Sequence, residues 1–187
     1  MESVFGHRIS NDVDPAIPAI AVDGSLFPMG KLEAHRLAQK HLAVSVFLFA
    51  GDRMLIQQRA DGKYHSGGLW ANSCCTHPHW GESTADCARR RLFEELGMNA
   101  DLRPSAVVDY YADVGRGLIE NERVHVFVGD LAEAREVVDF NRDEVQSVAW
   151  LDEGTLRNDV ATCPGRFTPW LRIYLDRWSE LSLRPAA

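Results

Sequence analysis

Apolar residues come along the chain in short blocks, separated by connections rich in glycine, proline and charge. Leu42-Ala-Val-Ser-Val-Phe-Leu-Phe49 is an almost unbroken apolar run, the pattern of a strand covered on both faces. Ala50-Gly51-Asp52-Arg53 turns it into a second strand, Met54 to Gln58, and the two read as a hairpin. A glycine-dotted loop from Ala60 to Gly68 leads to a mildly β stretch, Leu69 to Cys75. The clearest helix is Ser83 to Leu96, where Ala85, Ala88, Leu92 and Leu96 form one stripe. Ser83 caps its start with Asp86 three residues on, and Gly97 stops it. Val107–Tyr111, Glu122–Val128 and Val145–Leu151 read as strands, the middle one alternating Val124, Val126 and Val128 with Arg123, His125 and Phe127. Thr168 and Pro169 suit the N-cap and first turn of a last helix carrying Trp170, Ile173, Tyr174 and Trp178. Strands interleaved with two main helices predict an α+β fold, a mixed sheet sandwiched by helices. No repeat or linker divides the 187 residues, so one domain is expected, with the polar, proline-bearing residues 1–27 as an N-terminal arm of little regular structure.

Composition narrows the class. With 45% hydrophobic and 25% charged residues the chain is of globular type. A net charge of −7 argues against a nucleic-acid or polybasic membrane partner. The longest apolar run, Leu42 to Ala50, is too short to span a bilayer, and Met1 to Arg8 lacks the pattern of a signal peptide. Cys74, Cys75, Cys87 and Cys163 show no disulfide-framework spacing. Reduced thiols in a cytoplasmic protein, a monomer or weak dimer, are the expectation.

The main helix and its approach carry Glu82, Arg90, Arg91, Glu94 and Glu95. Taken alone, these are a solvated face with i,i+4 ion pairs worth a few tenths of a kcal/mol each. Their spacing resembles the Nudix signature, Gly-x5-Glu-x7-Arg-Glu-apolar-x-Glu-Glu-x-Gly-apolar, aligned as Thr76, Glu82, Arg90, Arg91, Leu92, Glu94, Glu95, Gly97 and Met98. In that superfamily carboxylates hold divalent metal on a diphosphate, an oxygen-rich environment suited to a hard cation. Two positions depart from it. Thr76 stands for the first glycine, and Arg91 for the glutamate after the arginine. A cation in place of a ligand weakens a hydrolytic metal cluster and suits a direct grip on diphosphate oxygens.

Further motifs narrow the resemblance. Trp70-Ala-Asn-Ser-Cys-Cys-Thr-His-Pro78 precedes the helix; Gly117-Leu-Ile-Glu-Asn-Glu122 and Arg166-Phe-Thr-Pro-Trp170 follow it; Lys31-Leu-Glu-Ala-His35 and His41 lie upstream. In that order they resemble the metal-dependent (type I) isopentenyl-diphosphate isomerases, the isomerase branch of the Nudix superfamily, over about three quarters of the chain. The resemblance implies a Nudix-type α/β/α sandwich around a mixed β-sheet, and a small-molecule diphosphate substrate whose double bond moves one carbon along. It implies that Cys75 and Glu122 are an acid/base pair on opposite faces of the alkene. His35, His41, His77, Glu120 and Glu122 match the ligands of one divalent metal, Mn²⁺ or Zn²⁺ by its imidazole content. Glu95 and the backbone carbonyl of Cys75 match a Mg²⁺ site bridging to the diphosphate. Arg59, Lys63 and Arg91 align with diphosphate contacts, with Lys31 a further candidate. Tyr110 matches a tyrosine bonded to the catalytic carboxylate, and Trp170 an aromatic facing the developing cation.

That chemistry suits these residue types. Protonating an unactivated alkene gives a tertiary carbocation that water would capture, so the site must be dry, with donor and base on opposite faces. An indole face stabilises the cation without supplying a nucleophile. Glu120 and Glu122, two apart on a strand, share one face. The sequence leaves open which of Cys75 and Glu122 donates. Cys74, Cys87 and Cys163 read as small buried hydrophobes, and His7, His65, His79 and His125 as surface or satisfied-core histidines. The competing readings are a Nudix pyrophosphohydrolase, which needs the glutamate missing at position 91, and a non-catalytic diphosphate-binding protein, which leaves Cys75, Glu120 and Glu122 idle. A flavin-dependent isomerase barrel needs a longer chain.

Overall fold

A computed structural model describes residues 15–134, 137 and 139–183. Its strands are β1 (Ala16–Ile20), β2 (Leu26–Gly30), β3 (His41–Ala50), β4 (Arg53–Arg59), β5 (Trp70–Asn72), β6 (Cys74–Thr76), β7 (Leu102–Gly115), β8 (Leu118–Leu131) and β9 (Val145–Asp152). The helices are α1 (Lys31–Arg36), α2 (Thr84–Leu96), α3 (Glu153–Thr162) and α4 (Pro169–Asp176). None of the described helices is long and apolar enough to cross a membrane.

The apolar run at residues 42–49 becomes the spine of the sheet. Along one edge β3 pairs in parallel with β8, from His41 opposite Glu122 to Ala50 opposite Leu131. Its other edge is shared by β1 at His41, β6 at Val44–Val46 and β4 at its far end, all antiparallel. The period-two pleat sends alternate residues to opposite faces. Ala43, Phe47 and Phe49 pack under α4 and the C-terminal turns with Trp170, Leu171 and Tyr174. Val44, Val46 and Leu48 pack under α2 with Cys87, Ala88, Leu92 and Leu96. The result is the expected helix–sheet–helix sandwich around a mixed sheet.

Helix α2 obeys its local signals. Ser83 Oγ accepts the Asp86 N–H at 3.1 Å, and Gly97 closes the helix at φ 63°. A Cβ there would lie 3.0 Å from the Asp139 carbonyl, so only glycine fits without strain. Thr168 caps α4 as its sequence indicates.

Three differences stand out. Residues 15–27 of the expected arm are ordered into the sheet, where β1 and β2 form a five-pair hairpin closed at Asp23-Gly24, with Gly24 at φ 86°. Residues 1–14 lie outside the described residues. Pro18 and Pro28 face each other across that hairpin, and proline within an apolar run disguises a strand. Helix α3 buries only Leu156 and therefore has no apolar period to detect. Cys163, expected to be buried, is exposed at the end of α3.

Candidate active site and metal cluster

The site lies where β3, β6 and β8 meet, and their register fixes its contents. Glu122 sits opposite His41 on β3 and Tyr110 on β7, while Cys75 sits opposite Ser45. Glu120 and Glu122 alternate with exposed or half-buried neighbours on β8, so both carboxylates point inward, 4% exposed each. Helix α1 contributes Lys31 and His35 one turn apart. The loop after β4 contributes Lys63, Tyr64 and His65, and α4 contributes Trp170 at its second position.

His41 Nε2 lies 3.2 Å from His77 Nε2, and Glu122 Oε1 lies 2.8 Å from His77 Nε2 and 3.5 Å from His41 Nε2. His35 joins these three in a cluster whose donor atoms lie within 4.8 Å of one another; a second such cluster joins His35, His65 and Glu120. Two of the three outer nitrogens are anchored, and His77 Nδ1 has no partner among the described residues. His35 Nδ1–H donates to the Lys31 carbonyl at 2.7 Å and His41 Nδ1–H to the Gln39 carbonyl at 2.7 Å, leaving both Nε2 lone pairs facing inward.

Burial sets the charge states. It lowers His35 to about 4, with help from His41, and His65 to about 2, with help from Arg59. His77 is also driven far down by burial despite Glu122, so these imidazoles are neutral donors at neutral pH. Burial and repulsion from Glu122 push the Glu120 carboxyl far up. Burial also acts on Glu122, yet the neighbouring imidazoles of His41 and His77 hold it well below the usual carboxylate range. Tyr110 OH lies 2.7 Å from Glu120 Oε2 and 2.6 Å from Glu122 Oε2. One hydroxyl proton serves one carboxylate at a time, so two ionised carboxylates here need a cation. Neutral imidazoles and paired carboxylates, all buried, are a donor set fitted to a divalent metal.

Across the cavity Cys75 Sγ–H donates to Asn72 Oδ1 at 2.8 Å and lies 3.4 Å from Ser45 Oγ, which is 2.8 Å from Tyr174 OH. Burial pushes this thiol up to about 12, with Ser45 opposing, so the sulfur holds its proton. Cys75, Tyr110, Glu120, Glu122, His77 and Trp170 line one narrow cavity together with Lys31, Arg59, Lys63 and Arg91. Arg59 is buried, its guanidinium carbon 5.2 Å from the Trp170 ring centre. The mouth is cationic but contains one acid. Lys63 and Arg91 both pair with Glu144 Oε2, the Arg91 contact at 3.2 Å. Burial lowers Lys31 to about 8, reinforced by Lys63 and Arg59, with its ammonium 5.0 Å from the Tyr64 ring centre.

The structure thus brings the expected residues together, by lining one cavity or, for His35 and His41, through the histidine–carboxylate cluster, with Glu95 as the exception. Glu95 stands apart from the histidine clusters, its carboxylate accepting from Arg91 Nη2 at 2.6 Å and Gln57 Nε2 at 3.0 Å. The Nudix-signature pair is formed, since Arg90 grips Glu82 through two bonds of 2.7 and 2.8 Å. Arg91, in the variant position, meets Glu94, Glu95 and Glu144. His79 is exposed, as expected. Sequence reasoning left out His65, Glu144, Asn72, Ser45 and Tyr174. Of these only His65 had a visible signal, a histidine in the same short loop as Arg59 and Lys63.

Comparison with known proteins shows the family and the fold. The NUDIX domain family model matches residues 39–171. An isopentenyl-diphosphate Delta-isomerase of Cereibacter sphaeroides (strain KD131) is 55% identical over 162 residues, covering 85% of this chain and 90% of that protein. Proteins of the same name from Jannaschia sp. (strain CCS1) and Rhodobacter capsulatus are 49% and 47% identical, each covering 88% of this chain and 94% and 93% of theirs. Among solved structures, DR0079 from Deinococcus radiodurans superposes with a TM-score of 0.69 at 16% identity, covering 87% of this chain and 98% of that one. A Nudix hydrolase from M. smegmatis, RenU, gives 0.58 at 21% identity, covering 93% and 98%. At such identities these two speak for the fold alone.

Proposed function

The chain belongs to the NUDIX family and, within it, to the isopentenyl-diphosphate Delta-isomerases, and from that premise we propose how its buried cavity moves the double bond. The reaction interconverts isopentenyl and dimethylallyl diphosphate. One proton adds to the terminal alkene carbon, a tertiary cation forms at its neighbour, and one proton leaves the methylene on the cation's other side. No bond to oxygen or phosphorus changes.

Cys75 Sγ and the Glu122 carboxylate are the two proton-carrying groups. The observation that carries this reading is that both face one cavity, with one proton between them: burial keeps it on sulfur while His41 and His77 keep Glu122 ionised. Each turnover moves a proton onto the substrate from one group and off it to the other. The pair therefore ends in the complementary state, which is the starting state of the reverse reaction. Tyr110 fixes the orientation of Glu122 through its hydroxyl, and Trp170 presents an indole to the cationic carbon. Burial of Tyr110, Glu122 and Trp170, with Cys75 half-buried, limits the water that would capture the cation.

His35, His41, His77, Glu120 and Glu122 would hold Mn²⁺ or Zn²⁺, whose charge lets two buried carboxylates stay ionised side by side. At the mouth, Arg59, Lys63 and Arg91 receive the diphosphate. Glu95 and the Cys75 carbonyl would hold Mg²⁺. That carboxylate is already engaged by Arg91 and Gln57, so Mg²⁺ is expected to arrive with the substrate. The whole chain is one catalytic domain. Arg91 in place of a ligating carboxylate disfavours hydrolysis.

The test is one mass spectrum. The protein is incubated with isopentenyl diphosphate and Mg²⁺ in D₂O, and the substrate pool is weighed. Deuterium gained with the diphosphate intact is expected. Loss of phosphate would put the chain among the hydrolases, and an unchanged pool with metal bound would overturn the acid/base assignment.

A further inference from the structure

The loop between β4 and β5 is built around a histidine that the five-ligand set does not use. Its ends are tied by the Gly68 N–H to the Arg59 carbonyl at 3.0 Å and the Arg59 N–H to the Leu69 carbonyl at 2.9 Å. Between them Ser66 adopts φ 51°, a left-handed conformation costly to a residue with a Cβ. Gly67 follows, where a Cβ would lie 2.5 Å from the Asp61 carbonyl oxygen. A backbone that tight and locally strained persists where its surroundings hold it, and its effect here is to turn His65 inward to 4% exposure.

The orientation of that ring matches the other imidazoles. His65 Nδ1 lies 3.2 Å from Ser66 Oγ, the anchor role that backbone carbonyls play for His35 and His41. His65 Nε2 faces Glu120 Oε1 at 3.5 Å, and its ring centre is 5.7 Å from that of His35. At 3.5 Å the approach to Glu120 is too long for a good hydrogen bond, yet it is an ordinary separation for two donors on one ion. The ligand atoms of His35, His65 and Glu120 lie within 4.8 Å of one another, as do those of His35, His41, His77 and Glu122, and His35 belongs to both groups.

We propose that His65 is a sixth protein ligand of the divalent ion, giving it a shell of four imidazole nitrogens and two carboxylates; this rests on the metal reading of the site given above. Six donors favour an octahedral ion such as Mn²⁺ over the four-coordinate preference of Zn²⁺. A shell filled by protein leaves no open position for substrate oxygen. The ion then fixes Glu120 and Glu122 in place and binds nothing else.

Mn²⁺ supplied without substrate tests this. Pulsed EPR counts the coordinated nitrogens, and chelator competition measures affinity, in the wild type, His65→Gln and His65→Ala. Four nitrogens are expected in the wild type and three in each variant that folds by circular dichroism, with affinity lower by roughly tenfold or more. Three nitrogens in the wild type would overturn the assignment whatever the variants do. Weakened binding with an unchanged count would make His65 a support for Glu120 and not a ligand. A wild type that takes up no Mn²⁺ would remove the metal reading itself, and the inference with it.

Discussion

Cys75 and Lys31 are two groups whose environments oppose their ordinary chemistry, and each gives a test at the scale of one side chain. The Cys75 thiol donates to Asn72 and is held protonated by burial. Serine preserves that hydrogen bond but is a far weaker acid. Cys75→Ser is therefore expected to lose about 10²- to 10⁴-fold in turnover with little change in unfolding midpoint. Turnover near the wild-type rate, measured by conversion of isopentenyl diphosphate, would remove Cys75 from the mechanism. Lys31 is the reverse case, a cation that burial and neighbouring cations bring down to about 8. Between about pH 8 and 10.5 the folded chain binds fewer protons at Lys31 than the unfolded chain, so this group's contribution to stability rises with pH there. Its grip on a diphosphate moves the other way and fades as pH passes about 8. KM is thus expected to climb above that pH in the wild type and to stay flat in Lys31→Arg, whose guanidinium does not titrate. A wild-type KM constant between pH 7 and 9 would show that Lys31 does not bind the diphosphate.

Elements differ in how much of their form is local. Helix α2 owes its start to Ser83, whose hydroxyl both accepts from the Asp86 N–H and donates to the Asp86 carboxylate at 2.7 Å. Ser83→Ala is expected to cost about 1 kcal/mol, read from denaturant unfolding, and no measurable loss would mean the tertiary packing of Leu92 and Leu96 alone sets the helix start. Because cap, stripe and stop lie within fifteen or so neighbouring positions, α2 was legible in the sequence almost to the residue. So was the inward pairing of Glu120 and Glu122, since strand period alone dictates it. The β1–β2 hairpin was not, because Pro18 and Pro28 interrupt its apolar runs and only Asp23-Gly24 marked the turn. Helix α3 rests on the Asp152 cap and one buried leucine, too little to be seen as a period.

At the scale of the molecule, what the sequence could not supply is convergence. Motif resemblance gave residue types, but nothing local says that a loop residue, His65, meets Glu120, or that Glu144, in the turn before β9, sits between Lys63 and Arg91. The histidine–carboxylate cluster draws on α1, β3, the residue that follows β6, and β8, so an ion there ties together parts of the chain distant in sequence. Anything bound only to the folded form stabilises it by RT ln(1 + [L]/Kd), about 2.7 kcal/mol at a hundredfold excess over Kd. For a chain of this length each kcal/mol shifts Tm by roughly 2–4 °C, so stripping the ion should lower Tm by about 5–10 °C. Return of Mn²⁺ should restore it in proportion to the logarithm of its concentration. Without the ion, burial and Glu122 keep a proton on Glu120, and metal must displace it. Binding should therefore release protons, detectable by calorimetry in buffers of different ionisation enthalpy. A melting temperature indifferent to chelator would mean that this cluster is held together by its own hydrogen bonds, with Tyr110 and a shared proton standing where the ion was expected.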